Sequence, residues 1–108
     1  MRESHHPPRA ELELASVLHA LSDPARLAIV RHLASERECA CGHFDSRLSK
    51  ATLSHHYRVL RECGVIKSRP DGRKRLLSLR RDDMDERFPG LLDAVLRSRD
   101  RRTDSLIA

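Results

Sequence analysis

Leu48-Ser49-Lys50-Ala51-Thr52-Leu53-Ser54-His55-His56-Tyr57-Arg58-Val59-Leu60-Arg61-Glu62-Cys63-Gly64-Val65-Ile66 is the stretch whose reading decides the fold. Ser49 is a good N-cap, because its hydroxyl can accept from an early helical N–H. Gly64 is a good stop, because glycine takes a positive φ without a Cβ clash. Between them Leu53, Tyr57 and Leu60 recur at helical spacing and form one apolar stripe. Lys50, Ala51, Ser54, His55 and Arg58 fall on the other face. That face has short hydrogen-bonding side chains at its N-terminal end and a cation one turn later. Such a face suits a helix whose first turns reach base edges in a DNA major groove. An ordinary solvated face would look the same, so the flanking sequence must decide.

Downstream the chain reads as a hairpin. Val65 to Arg69 is extended, Pro70-Asp71-Gly72 is a turn, and Arg73 to Leu79 is the return strand. Lys67, Arg69, Arg73, Lys74 and Arg75 crowd its tip. Cations there can meet phosphates or protect a strand edge. Directly after a candidate reading helix, phosphate contact is the favoured reading. Next comes an acidic patch, Asp82-Asp83-Met84-Asp85-Glu86, which suits a helix start, and Pro89 breaks or restarts that helix. Leu91, Leu92, Val95 and Leu96 then make a last stripe, followed by Arg97, Arg99, Arg101 and Arg102. In so small a domain, that stripe reads as half of a subunit interface.

Upstream, Glu11 to Leu21 reads as a first helix, with Leu14, Ala15, Leu18 and Leu21 on one face, widened by Leu12 and Val17. Asp23 caps a second helix, and Pro24 takes its first position, where a missing N–H costs nothing. Leu27, Val30 and Leu33 form its buried stripe, and Arg26 and Arg31 are expected outside. Glu36 to Arg47 must hold a short helix, because a reading helix is normally positioned by a preceding one. Phe44 and Leu48 are its expected anchors. Within this segment Cys39 and Cys41 are two residues apart. Thiolates so placed can bind a soft ion or close a disulfide after modest backbone movement. They can equally be small core residues. Cys63, at the end of the reading helix, is expected to be buried and structural.

Composition sets the limits. The chain has 108 residues, which fits one domain. It holds 21 Lys and Arg against 16 Asp and Glu, a formal charge of +5, so a polyanionic partner is permitted. Aromatic residues are 3%, which argues against single-strand or RNA binding by stacking. No apolar run suits a membrane span or a signal peptide, and three cysteines fit a reducing compartment, so a cytoplasmic location is expected. Residues 1–10, with His5-His6-Pro7-Pro8, read as a flexible arm, 11–102 as the folded domain, and 103–108 as a flexible tail. The arm's histidines could touch a metal, but a mobile tail is the better reading. An enzyme is disfavoured: His55 and His56 are adjacent on a helix and point about 100° apart, which is wrong for a shared metal, and no nucleophile motif or phosphate loop is present.

Two runs carry a family resemblance. Leu21-Ser22-Asp23-Pro24-Ala25-Arg26-Leu27 and Ser54-His55-His56-Tyr57-Arg58-Val59-Leu60-Arg61-Glu62, with the basic hairpin and terminal helix, resemble the ArsR/SmtB family over roughly Leu12 to Arg97. The resemblance implies a mainly α winged helix-turn-helix with a small β-hairpin, dimeric through its first and last helices. It implies a repressor of palindromic double-stranded operators that is released by an effector. Ser49, Lys50, Thr52, Ser54, His55, Arg58, Arg73 and Lys74 are then the expected DNA contacts. Cys39 and Cys41 lie near where arsenite-type members carry a Cys-Val-Cys, so a soft metal or metalloid ion, or a thiol-reactive agent, is a candidate effector there. The terminal helix offers Asp93 and Asp100 and no histidine, so the terminal zinc site of other members is not expected. A regulator without cysteine sensing and a winged-helix protein-interaction module are the alternatives. An acidic reading face would favour the latter, and this face carries Lys50 and Arg58.

Overall fold

The computed structural model describes residues 6–36, 38–40 and 47–98. A 3-10 turn (Arg9–Glu11) leads into α1 (Leu14–Ala20) and α2 (Pro24–Ala34). A two-residue strand β1 (Cys39–Ala40) follows, then α3 (Lys50–Glu62), the hairpin β2 (Ile66–Asp71) and β3 (Lys74–Leu79), α4 (Arg81–Arg87) and α5 (Leu91–Arg97). The architecture is that of a winged helix-turn-helix, mainly helical with a small antiparallel sheet.

Local chemistry places the two central helices where expected. The Asp23 carboxylate accepts from the Ala25 and Arg26 backbone N–H groups at 2.7 and 3.3 Å, and Pro24 opens α2. The Ser49 hydroxyl accepts from the Thr52 N–H at 3.1 Å and starts α3. At the other end of α3, Gly64 has φ +90°. Its N–H donates to Arg61 O, and the Val65 N–H donates to Leu60 O at 3.0 Å. That pair of bonds is a Schellman ending, and the Val65 and Leu60 side chains that accompany it are fully buried.

The sheet order is β1-β3-β2, all antiparallel. Cys39 pairs with Leu77 and Ala40 with Leu76, so β1 adds a third strand to the expected hairpin. The hairpin itself differs from expectation. Pro70 lies within β2, opposite Arg75, and the loop is only Gly72-Arg73, with Gly72 at φ +63°. A two-residue loop with glycine first matches the right-handed twist of the strands. Proline is tolerated there because β2 is an edge strand.

The first helix begins at Leu14, and its buried side is Val17 and Ala20, joined by Leu21 and Leu12 from outside it. Leu21 is buried, whereas Leu14, Ala15 and Leu18 of α1 are exposed in the single chain, Leu14 and Leu18 at 47% and 48%. Arg26 is buried rather than outside. Leu92, expected at a subunit contact, is part of the chain's own core, with Val95 and Leu96 packed partly against it. A stripe of leucines reports that something covers it, but not whether the cover is the same chain. Leu48 packs partly against the core, as anticipated. The expected short helix before α3, with Phe44 and Cys41, falls largely outside the described residues.

The first described residues are held in place. His6 Nε2 accepts from the Ser68 N–H at 3.1 Å, and Pro7 is buried with its carbonyl accepting from Arg80 at 2.7 Å. Arg9 and Arg80 both grip Asp83, at 2.6 and 2.8 Å. The Arg9 guanidinium, with Arg80 behind it, holds the Asp83 carboxyl below the usual carboxylate range.

Candidate nucleic-acid interface

α3 divides by burial as its sequence pattern indicates. Leu53, Tyr57 and Leu60 are buried, together with His56. Lys50, Ala51, Thr52, Ser54, His55 and Arg58 are exposed, as is the capping Ser49. The Ser49 hydroxyl also donates to Thr52 Oγ1 at 2.9 Å, which leaves the Thr52 O–H free to point outward as a donor. Arg73 and Lys74 are exposed at the wing tip, and Lys67 is exposed on β2. Helix face and wing tip therefore both present donors and positive charge to solvent. Two of the hairpin's other cations are engaged. Arg69 makes a bidentate pair with Glu38, at 2.7 and 2.9 Å, and Arg75 donates to the Ser68 hydroxyl at 2.9 Å.

A buried contact orients α3. Arg26 Nε donates to the Ala20 carbonyl at 2.6 Å, and its Nη1 lies 3.1 Å from His56 Nδ1. A guanidinium has donors only, so Nδ1 accepts and His56 is neutral. Burial pushes the His56 pKa below its ordinary value, and the Arg26 charge adds to this against the opposing pull of Asp23. The pair ties α2 to the back of α3 and fixes the rotation that turns Ser54 and His55 outward.

A family model described as a helix-turn-helix domain matches residues 21–69. An uncharacterized HTH-type transcriptional regulator of Bacillus subtilis is 39% identical over 84 residues, covering 75% of this chain and 84% of the relative. An arsenical resistance operon repressor of Staphylococcus xylosus is 37% identical over 76 residues, 68% of this chain and 71% of the relative. A transcriptional repressor SmtB homolog of Synechocystis is 34% identical over 68 residues, 62% and 52%. The chain belongs to the ArsR/SmtB family. Members of that family are non-enzymatic DNA-binding transcriptional regulators, and this chain is a regulator rather than an enzyme.

The cysteines of this ArsR/SmtB protein have different surroundings. Cys39 is buried at the start of β1, and Cys41 lies outside the described residues. Cys63 is half-buried and donates to the Leu60 carbonyl at 3.3 Å. Burial pushes its thiol pKa up, which disfavours the reactive thiolate. Sequence reading missed the roles of Arg26 and His56, because their contact spans two helices and nothing local signals it. It also missed His32 and Glu36, whose side chains approach Cys39. Their i, i+4 spacing at a helix end just before a cysteine was the available signal. Among the described residues, no helix is long and apolar enough to cross a membrane.

Proposed function

We propose that the chain is a sequence-specific repressor that binds a palindromic double-stranded operator as a homodimer in the cytoplasm. An effector, a thiol-reactive agent or a soft metal or metalloid ion at Cys39 and Cys41, releases it. The observation that carries the DNA reading is the exposed polar face of α3 beside an exposed cationic wing tip. In this reading Lys50, Ser54, His55 and Arg58 face base edges, and Ser49, Thr52, Arg73 and Lys74 meet phosphates. The dimer reading is supported by the exposed apolar side of α1, Leu14 and Leu18. The effector reading draws on the arsenical resistance operon repressor among the relatives.

The test is titration of operator duplex, random duplex and single strand. Ser54→Ala and His55→Ala should each cost roughly 1–3 kcal/mol per half-site on the operator and little on random duplex. Equal losses on both would remove the base-reading role. For the effector, operator affinity is measured with arsenite, zinc, peroxide and polysulfide on wild type and on Cys39→Ser/Cys41→Ser. A double variant that still responds like wild type would rule these cysteines out.

A further inference from the structure

We propose that His32, Glu36 and Cys39 form a binding site for a borderline divalent transition cation of the Zn2+ kind, built between the end of α2 and the first residue of β1. His32 lies in the last turn of α2 and Glu36 just beyond its C-cap, Ser35. Although Glu36 lies past the end of the helix, its carboxylate reaches back to within 4.0 Å of His32 Nε2. Pairing of Cys39 with Leu77 fixes the thiol from the sheet side. One ligand atom from each of the three residues lies within 4.8 Å of the other two.

The distances can be compared with what a cation requires. With a metal–sulfur bond of about 2.3 Å and a metal–nitrogen bond of about 2.05 Å, a tetrahedral centre separates sulfur from nitrogen by about 3.6 Å. His32 Nε2 and Cys39 Sγ are 3.6 Å apart. Nitrogen and oxygen ligands on the same centre sit about 3.3 Å apart. His32 Nε2 and Glu36 Oε2 are 4.0 Å apart, so Glu36 must close by well under an ångström. The Glu36 side chain is 45% exposed and can make that move by rotation, while the His32 side chain, at 26%, leaves a path for entry. Glu36 also lines an open hollow with Leu33, Ala34, Ser35, Leu79 and Arg81, and Arg81 faces Asp93 at 4.0 Å.

The donor set selects the ion. Thiolate and imidazole together favour Zn2+ and its neighbours, whereas carboxylate alone would suit Mg2+ or Ca2+. Three protein ligands leave one position open, which distinguishes the site from a closed structural zinc centre with four. Binding needs the Cys39 thiolate, so the thiol proton goes to solvent and affinity rises with pH. The site shares Cys39 with the effector reading above, but its donors do not include Cys41. That the cation regulates rests on the DNA-binding reading, and that it binds does not. Its position offers leverage on the wing: Glu38, which holds Arg69 of β2, is the neighbour of Cys39.

The test is titration of the full chain with Co2+ in the absence of DNA, so its outcome is independent of operator binding. A thiolate-to-cobalt charge-transfer band should grow to one equivalent per chain and disappear when Zn2+ is added. Cys39→Ser should abolish the band, and Cys41→Ser should keep it. His32→Gln and Glu36→Gln, each confirmed as folded by far-UV circular dichroism, should weaken binding by more than about ten-fold, since losing even an outer-shell partner of a ligand costs that much. The proposal is overturned if wild type gives no band, or if the band survives Cys39→Ser. It is overturned equally if His32→Gln and Glu36→Gln bind like wild type, or if Cys41→Ser abolishes a band that His32→Gln leaves unchanged.

Discussion

Replacing Gly64 by alanine should destabilise the protein far more than the same change at Gly72. Both glycines have positive φ, +90° and +63°, so each substitution carries the backbone strain of an L-residue, about 1–2 kcal/mol. The surroundings differ. A Cβ at Gly72 meets nothing within 4 Å. A Cβ at Gly64 falls 2.1 Å from Leu12 Cδ2 and 3.3 Å from its Cγ. Ordinary carbon contacts are about 3.5–4.0 Å, so Leu12 must shift by well over an ångström. Leu12 is 1% exposed and packed on all sides, which makes this an overpacking problem worth a further ~1–3 kcal/mol. The expected total is about 2–5 kcal/mol at Gly64 against ~1–2 at Gly72, from a domain stability of only ~5–15. Urea unfolding followed by far-UV circular dichroism measures both. A second arm uses Leu12→Val, which shortens the offending side chain at an extended position that suits a β-branched residue. In that background Gly64→Ala should approach the bare backbone cost. Equal unfolding midpoints for Gly64→Ala and Gly72→Ala would refute the reasoning, as would a Leu12→Val background that leaves the Gly64 penalty unchanged.

Other consequences are also measurable. Arg73→Ala and Lys74→Ala should weaken operator and random duplex alike and reduce the salt slope by about 0.9 for each phosphate that is no longer neutralised. An unchanged slope would put the wing tip off the DNA. Leu14→Lys/Leu18→Lys should give a folded monomer by light scattering, because both side chains are already in solvent within the chain. A dimer in that variant would move the interface elsewhere. His56 has a depressed pKa, so the unfolded chain takes up its proton first as pH falls. The contribution of neutral His56 is therefore intact above about pH 6.5 and is lost progressively as pH drops below it, toward the lowered folded pKa. His56→Asn keeps an acceptor for Arg26 and removes the titration. Its stability should fall less than that of wild type between about pH 7 and pH 5, and an identical slope would contradict the assignment.

What the sequence revealed is what neighbouring residues decide. The Asp23 and Ser49 caps, the Gly64 stop and the sides of α3 all depend on spacings of four residues or fewer, and all are found in place. Long-range pairings were hidden. Arg26 looks like a surface cation until His56, 30 positions away, is packed against it. Residues 39 and 40 have no strand signature of their own, and only their register with Leu77 and Leu76 makes them a strand. Leu12 looks like part of the first helix, yet its backbone is extended and its side chain fills the space over Gly64. The Leu92 stripe misled for a related reason, since periodicity reports burial without naming the partner.

α2 joins these hidden contacts into one device. From its first turn Arg26 reaches back to the Ala20 carbonyl and across to His56, fixing α3. From its last turns Arg31 bonds Ser98 beyond α5 at 2.5 and 2.9 Å, and His32 approaches Cys39 of β1. The helix that presents no face to DNA in this reading thus touches the reading helix, the wing sheet and the end of the terminal helix. At the proposed cation site, a ligand that tightens the His32–Cys39 end would draw β1 toward α2, and β1 pairs with β3. α3 is anchored at the opposite end of α2 by the Arg26–His56 pair. An effector acting at the proposed cation site is therefore expected to shift the wing relative to α3. With the DNA contacts proposed above, such a displacement would separate phosphate contacts from base contacts while both elements stay folded, which is what releasing DNA without unfolding requires.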